Sequence, residues 1–184
     1  MVENATGPRL SAFARRFRDD RGGLAALEFA LVAPMMFLVL FMSFELTDAM
    51  AANRRAEVTA SSLADVISRD VVVSDDEIRG LFAAIPLLTR PTDPVLVQAR
   101  VTSIFIDASG QATVRWSEGS GMAPLPEGSP VTIPVGMQVP ETGLVMGETV
   151  LNYEPPLGLF SMAPFVISKT EYRRPRIADP VLRN

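Results

Sequence analysis

Carboxylates are the side chains of this sequence best suited to acid–base or metal chemistry, because its 184 residues include no histidine and no cysteine. These absences exclude disulfide frameworks, thiol catalysis, Cys/His zinc sites and Ser-His-Asp triads. Asp19-Asp20 lies in a basic N-terminal stretch, and Asp75-Asp76 stands at the start of a predicted helix. No glycine-rich phosphate loop or metal-ligand spacing is present. We therefore expect a protein that is not an enzyme and has no cofactor or metal.

One further acidic residue, Glu28, stands inside an apolar segment. Leu24 to Phe44 covers 21 residues with no other charge, and as a helix it would measure ~31 Å, close to the hydrocarbon thickness of a bilayer. Its eleven Leu, Val and Phe residues favour insertion by roughly 5 kcal/mol, against a cost of about 3 kcal/mol for one central acid. The segment is predicted to span a membrane with Glu28 inside it.

The charges on either side of this segment predict its orientation. Residues 1–23 carry five arginines and three acidic residues, whereas the rest of the chain is acidic and the whole has a net charge of −4. Because basic flanks favour the cytoplasmic side, we expect a cytoplasmic N-terminus and translocation from about Glu45 onward, although Arg54 and Arg55 lie on the far side. An acidic body also argues against nucleic-acid binding.

The sequence at the start of the apolar segment reads Arg21-Gly22-Gly23-Leu24-Ala25-Ala26-Leu27-Glu28-Phe29. A glycine, four small or apolar residues and a glutamate resemble the class III signal of type IV pilins. The continuation to about Ala51 resembles the TadE-like minor pseudopilins of the tight-adherence (Tad/Flp) pilus. Phe29 replaces the tyrosine of the Glu-Tyr pair in Tad-type pilins, and the tail Arg173-Arg174-Pro175-Arg176 adds a weaker likeness.

The resemblance implies that a prepilin peptidase cleaves after Gly23 and frees the amine of Leu24. That amine would neutralise Glu28, which lies at i+4 in the same chain, or the Glu28 of a neighbouring subunit. The resemblance implies the pairing between subunits. It further implies residence in the inner membrane with a periplasmic C-terminus, or in an extracellular pilus, and a role in surface adhesion. The implied partners are membrane lipid, other pilins or pseudopilins, the prepilin peptidase and an inner-membrane pilus assembly platform.

Small side chains along the apolar segment are expected to permit close packing between membrane helices. Pro34 lacks an amide hydrogen and is expected to kink the helix near Ala30. The residues assigned to helix packing are Phe29, Ala25, Ala26, Ala30, Ala33 and Pro34.

Other interpretations remain open at this stage. The segment could be an uncleaved anchor for a periplasmic binding module, or a secretory signal peptide with Ala49-Met50-Ala51 as its cleavage site. The sequence does not separate a TadE-like from a TadF-like role, and it does not identify the adhesion target, the stoichiometry or the position in a pilus.

The domain organisation follows from these segments and from the pattern beyond them. We expect a leader at residues 1–23, a transmembrane helix at 24–44, a stem helix at 45–70 and a periplasmic head at 71–184. Membrane segment and stem are predicted as one helix from Leu24 to Arg69, the alternative being a hinge near Ala51. The side of the stem predicted to be apolar is Leu46, Met50, Asn53, Glu57, Ala60, Leu63, Val66 and Ile67.

The head is predicted to be an α+β unit, with a small antiparallel sheet packed on an amphipathic helix. Ser74 and Glu77 form a capping box for a helix from Asp75 to Ile85, which Pro86 is expected to end. Trp116 is expected to pack on the stem. The Pro/Gly-rich stretch 117–143 is either a recognition loop or a connector. The expected strands are Val95–Ile106, Ala112–Trp116, Val131–Val135, Leu144–Tyr153 and Phe165–Arg173, with loops at Thr89–Pro94, Asp107–Gly110 and Pro155–Gly158.

Overall fold

The computed structural model describes residues 22–90, 97–156, 164–177 and 179–184. Residues 1–21 of the predicted leader, most of the Thr89–Pro94 loop and part of the Pro155–Gly158 loop lie outside these ranges. The described chain divides into two compact units, with the boundary between Phe44 and Glu45. The elements are helix α1 (Gly22–Ile67), β1 (Val72–Val73), α2 (Asp75–Leu88), β2 (Val97–Ile106), β3 (Ala112–Ser120), a 3₁₀ turn (Val135–Met137), β4 (Thr142–Tyr153), β5 (Phe165–Arg173) and β6 (Leu182–Arg183).

Helix α1 runs for 46 residues without interruption. It is continuous through Ala51, so the described chain has no hinge there. It also continues through Pro34, whose missing amide removes one hydrogen bond to the carbonyl of Ala30. One long helix followed by an antiparallel sheet confirms the predicted α+β class.

The buried face of the stem differs from the predicted one. Leu46 and Met50 are more than half exposed, and Asn53, Glu57 and Val66 are exposed as well. The prediction is confirmed at Ala60, Leu63 and Ile67 and wrong at its other five positions. The fully buried positions of the stem are Ala52, Ala56, Thr59, Ala60, Leu63, Ala64 and Ile67. The prediction followed the spacing of the residues, whereas close packing of the helix on the sheet also favours small side chains.

The four long strands form one antiparallel sheet in the order β3-β2-β4-β5. Both helices contribute to the core on one of its faces. Near the start of the stem, Ala52 and Ala56 share a cluster with Ile85 of α2 and Leu151 of β4. Further along, Ala64 and Ile67 share a second cluster with Val101, Trp116 and other apolar residues. This agrees with the expected packing of Trp116 on the stem, because Trp116 and the stem residues Ala64 and Ile67 belong to one core cluster.

The opposite face of the sheet is covered by part of the Pro/Gly-rich stretch. Ile133 is buried with Ile104, Ile106 and Leu144, and Leu125, Val131 and Met137 pack against the same cluster. This stretch is thus part of the core rather than a solvated connector.

Two details of the Pro/Gly-rich stretch correct the prediction. Val131–Val135 is not a strand. The amide of Val131 donates to the carbonyl of Ala112, next to an isolated bridge between Thr113 and Pro130 and backbone bonds that join residues 128 and 129 to Val114. Pro130 and Pro134 have no amide hydrogen to extend a ladder. In addition, residues 117–120 belong to strand β3, in which residues 117–119 pair with residues 100–102 of β2.

The capping box of α2 is confirmed, but the end of the helix is not where it was predicted. The amide of Glu77 donates to Ser74 Oγ, and the Glu77 carboxylate accepts from the amide of Ser74. The helix continues past Pro86 to Leu88 and is capped by Thr89, whose amide donates to the carbonyl of Ile85. Proline removes only its own amide, and its fixed φ is compatible with a final helical turn.

The last described residues, 179–184, form a segment that we call the C-terminal strap. Its strand β6 pairs in parallel with β1, directly after the stem. Val181 is fully buried, and its carbonyl accepts hydrogen bonds from Ser103 Oγ at 3.0 Å and from the indole of Trp116 at 2.9 Å. The strap therefore completes the core between the stem, α2 and the sheet.

Candidate functional site

The residues assigned to cleavage and charge pairing lie in the first turns of α1. Gly23 is the second residue of the helix, and Leu24 and Glu28 are one helical turn apart on the same side. Glu28 is exposed, and Leu24 is 58% exposed.

Gly23 is helical and has free space around it. A Cβ built at this position meets no heavy atom within 4 Å. Packing among the described residues therefore does not require a glycine at this position. Two glycines at the start of a helix each disfavour helix by about 1 kcal/mol relative to alanine, so unwinding this first turn for a protease costs little.

The apolar part of α1 has no covered face within its own unit. Between Gly23 and Phe44 every residue is exposed except Ala33, which is partly buried. The helix is long and apolar enough to cross a membrane. A helix that is apolar on all sides requires lipid or other helices around it. A shallow groove along it is lined by Phe29, Ala33, Met35, Met36, Phe37, Val39, Leu40 and Ser43.

The head contains a polar group at the start of the stem. The phenol of Tyr153 donates a hydrogen bond of 3.0 Å to Asp48 Oδ2, and Arg55 lies 3.8 Å from Asp48 Oδ1. Glu45 is only 2% exposed, and its Oε1 atom has no hydrogen-bond partner among the described residues. The ring of Phe165 packs on Tyr153 at 5.0 Å between centroids.

Burial, the hydrogen bond to Asp48 and the negative charges of Asp48 and Glu45 together raise the pKa of Tyr153 to about 12. These effects disfavour a phenolate, so the phenol remains a hydrogen-bond donor to Asp48 at neutral pH. Sequence reasoning missed this group, since Tyr153 and Asp48 are 105 residues apart.

A second polar feature is a cavity of about 410 Å³ beside α2, lined by residues that include Phe82, Gly119 and Arg79. Arg183 of the strap bridges Asp75 and Glu118 at its edge. The Arg183 hydrogen bond and charge lower the pKa of Asp75. Within the described ranges, no three acidic side chains lie close enough to hold a metal ion.

Comparison with known proteins gives one match. Residues 23–65 match the family model described as TadE-like protein. No curated protein matches the chain, and no solved structure matches it. The match supports a role associated with the Tad pilus, interactions with pilus components and anchoring in a membrane. It begins at Gly23 and follows α1 almost to its end, so the likeness to the TadE-like family lies in this helix.

Proposed function

We propose that this protein is a minor pseudopilin of the Tad/Flp pilus, cleaved by a prepilin peptidase after Gly23 and assembled through its N-terminal helix for surface adhesion. The observation that carries the proposal is the TadE-like match that starts at Gly23. The domain boundaries belong to the same proposal: a leader at 1–23, a membrane helix at 24–44, a stem at 45–70 and a head at 71–184. The N-terminus would be cytoplasmic and the head periplasmic or carried on the pilus.

Cleavage would change the electrostatics at the start of α1. The new ammonium group of Leu24 would add to the positive end of the helix dipole. Glu28, one turn away, is the only charged residue between Gly23 and Phe44. A carboxylate in this apolar surrounding is costly unless a cation neutralises it. We propose that a neighbouring subunit's Leu24 amine does so in the assembled state and thereby sets the register between helices.

The small and aromatic residues of the helix would then form the contacts between subunits. Ala33 is partly buried in the groove on α1, and Phe29 is 67% exposed beside it. Close packing of alanine and aromatic side chains supplies van der Waals contact that lipid alone does not. The partners would be other pilins or pseudopilins, assembled by an inner-membrane platform.

The first experiment determines the N-terminus of the protein purified from membranes of its native host. The proposal requires a mature chain that starts at Leu24 and a Gly23→Ala variant that retains its leader. An intact chain starting at Met1 would instead establish an uncleaved anchor. A chain that starts near Ala52 would establish a secreted protein.

The second experiment tests the charge pair. Glu28→Leu should insert into the membrane as well as the parent chain, yet be strongly depleted from isolated pilus complexes. Glu57→Leu is the matched control, since Glu57 is an exposed acid further along α1. Incorporation of Glu28→Leu at the level of Glu57→Leu would contradict the proposed register mechanism.

The alternative function is a binding module on a passive anchor. The cavity beside α2 is the feature in its favour, because it combines the aromatic ring of Phe82 with charged groups. Those charges are already paired, with Arg183 bonded to both Asp75 and Glu118. The pseudopilin function therefore has the stronger support.

A further inference from the structure

Exposed apolar side chains collect at one end of the head. Several belong to elements that are far apart in the sequence: the start of the stem, the end of α2 and the start of β5. Met50 is 66% exposed, Leu87 67% and Val166 62%. The complete set, which we call the basal patch, is Leu46, Met50, Leu87, Leu88, Phe165 and Val166.

The packing of the head places these elements at the same end. Helix α2 runs antiparallel to the stem, because Ile78 shares a core cluster with Ala64 and Ile85 shares one with Ala52. Strand β4 also runs antiparallel to the stem, since Gly147 adjoins Ala60 and Tyr153 reaches Asp48. The end of α2, the end of β4 and the start of β5 therefore lie beside the beginning of the stem.

The beginning of the stem is also where the apolar helix segment ends. Glu45 directly follows Phe44, and Asp48 lies only about 4.5 Å further along the helix axis. The phenol of Tyr153 is bonded to Asp48, and the ring of Phe165 packs on Tyr153. Phe165 is therefore held beside the first turn of the stem, which directly follows the apolar segment in the sequence.

The composition of the two ends of the head differs. Among the described residues at the end that carries the basal patch, residues 155, 156 and 164–168 are not ionisable, whereas Arg90 and Glu154 are charged and exposed. The opposite end, where β2 ends and β4 begins, carries Asp107, Glu141 and Asp179. Apolar and aromatic side chains next to the spanning segment are typical of the membrane–water interface. Apolar side chains next to a few charged groups match an interface with lipid on one side and water on the other.

We propose that the basal patch lies in the lipid–water interface of the membrane that α1 spans. The inference depends on the membrane anchor and not on cleavage or pilus assembly. Because the anchor tethers the head, docking is an intramolecular event with a high effective concentration. A few side chains partly inserted into the lipid are therefore sufficient to hold the head at the bilayer surface.

Site-directed spin labelling of the full chain in vesicles of phosphatidylethanolamine and phosphatidylglycerol tests the proposal. The chain has no cysteine, so Leu87→Cys and Val166→Cys supply unique label sites. Val135→Cys is the control, because Val135 is 83% exposed in the segment over the far face of the sheet. We expect labels at 87 and 166 to collide several-fold more with oxygen, relative to a water-soluble nickel chelate, than the label at 135.

Equal nickel accessibility at the three positions would overturn the proposal. The proposal would also be overturned if positions 87 and 166 were shielded from nickel only in native membranes that contain other proteins. A protein partner, not lipid, would then cover the patch. As a second variant, Val166→Asp should raise nickel accessibility of a label at position 87, whereas Val135→Asp should not. An unchanged emission spectrum of the buried Trp116 shows that each variant is folded.

Discussion

Gly147 of strand β4 lies against the backbone of Ala60 in the stem helix. A Cβ added to this glycine would stand 2.2 Å from the carbonyl oxygen of Ala60 and 3.1 Å from the amide nitrogen of Ala64. No side chain fits at that distance. The stem and the sheet are therefore joined through a backbone contact that only glycine permits.

Gly147→Ala should lower the free energy of unfolding of the head by at least about 2 kcal/mol, because the helix must move away from the sheet to accommodate a methyl group. Gly80→Ala is the matched control. Gly80 lies within α2, and a Cβ there meets nothing within 4 Å. That change should raise stability by about 0.5–1 kcal/mol through helix propensity. Urea unfolding in detergent micelles measures both, and equal effects would contradict the close contact.

The phenol of Tyr153 should lose its proton at a higher pH than a free tyrosine. Tyr172 is the only other tyrosine, and its pKa is also raised, chiefly by burial. In a Tyr172→Phe chain, the ultraviolet absorbance of the phenolate should therefore report Tyr153 alone, with a midpoint near pH 12 in the folded protein. The unfolded chain should titrate at about 10. A folded midpoint at the unfolded value would contradict the buried hydrogen bond to Asp48.

The same shift predicts a loss of stability in alkali. The folded state holds the Tyr153 proton more tightly than the unfolded state, so its contribution is complete below about pH 10. It is lost as the pH rises through the folded value of about 12. Unfolding measured from pH 9 upward in the Tyr172→Phe background should show this decline. Tyr153→Phe in that background should be less stable at pH 9 but lose less on further alkalinisation.

The strap should contribute to stability chiefly through one side chain. Val181 is fully buried, whereas the neighbouring Leu182 is 54% exposed. Val181→Ala removes two methyl groups and leaves a cavity, which should cost about 2 kcal/mol. Leu182→Ala should change stability by no more than about 0.5 kcal/mol. The emission of Trp116, which is bonded to the carbonyl of Val181, should shift in the first variant and not in the second.

Acid should weaken the attachment of the strap to α2. The Arg183 hydrogen bond and charge lower the pKa of Asp75. The stabilisation is therefore present above about pH 4, the unfolded value, and is lost as the pH falls through the lower folded value. Asp75→Asn should remove part of the acid dependence of the urea midpoint. Asp76→Asn is the control, since Asp76 pairs with the exposed Arg79; an identical acid profile for both variants would contradict the assignment.

Sequence periodicity predicted the elements whose signals are local. Strand β5 was predicted with its observed bounds from its alternation, and the capping box located the start of α2. Features that depend on distant segments were not predicted. Strands β1 and β6 have only two residues each and form from segments more than 100 positions apart. The buried face of the stem was predicted only in part, because the close contact with Gly147 of β4 places small residues such as Ala52, Ala56 and Ala64 against the sheet.

The candidate site likewise has a part that the sequence predicted and a part that only the folded structure reveals. The motif from Gly23 to Glu28 is linear, and its TadE-like character is confirmed over residues 23–65. The pairing of Glu28 with an amine depends on a second chain and stays a prediction. The group around Tyr153 and the buried Glu45 needed the folded head to be seen, since no local pattern links a residue of β4 with the first turn of the stem.

The strap also fixes the sequence of events during biogenesis. Val72 and Val73 leave the ribosome long before Leu182 and Arg183, with which they pair. Until the strap is synthesised, the indole of Trp116 lacks its hydrogen-bond acceptor and the position of Val181 in the core is empty. The head consequently reaches its finished state only after synthesis has delivered the strap, so chaperones would meet a nearly complete domain with an open core.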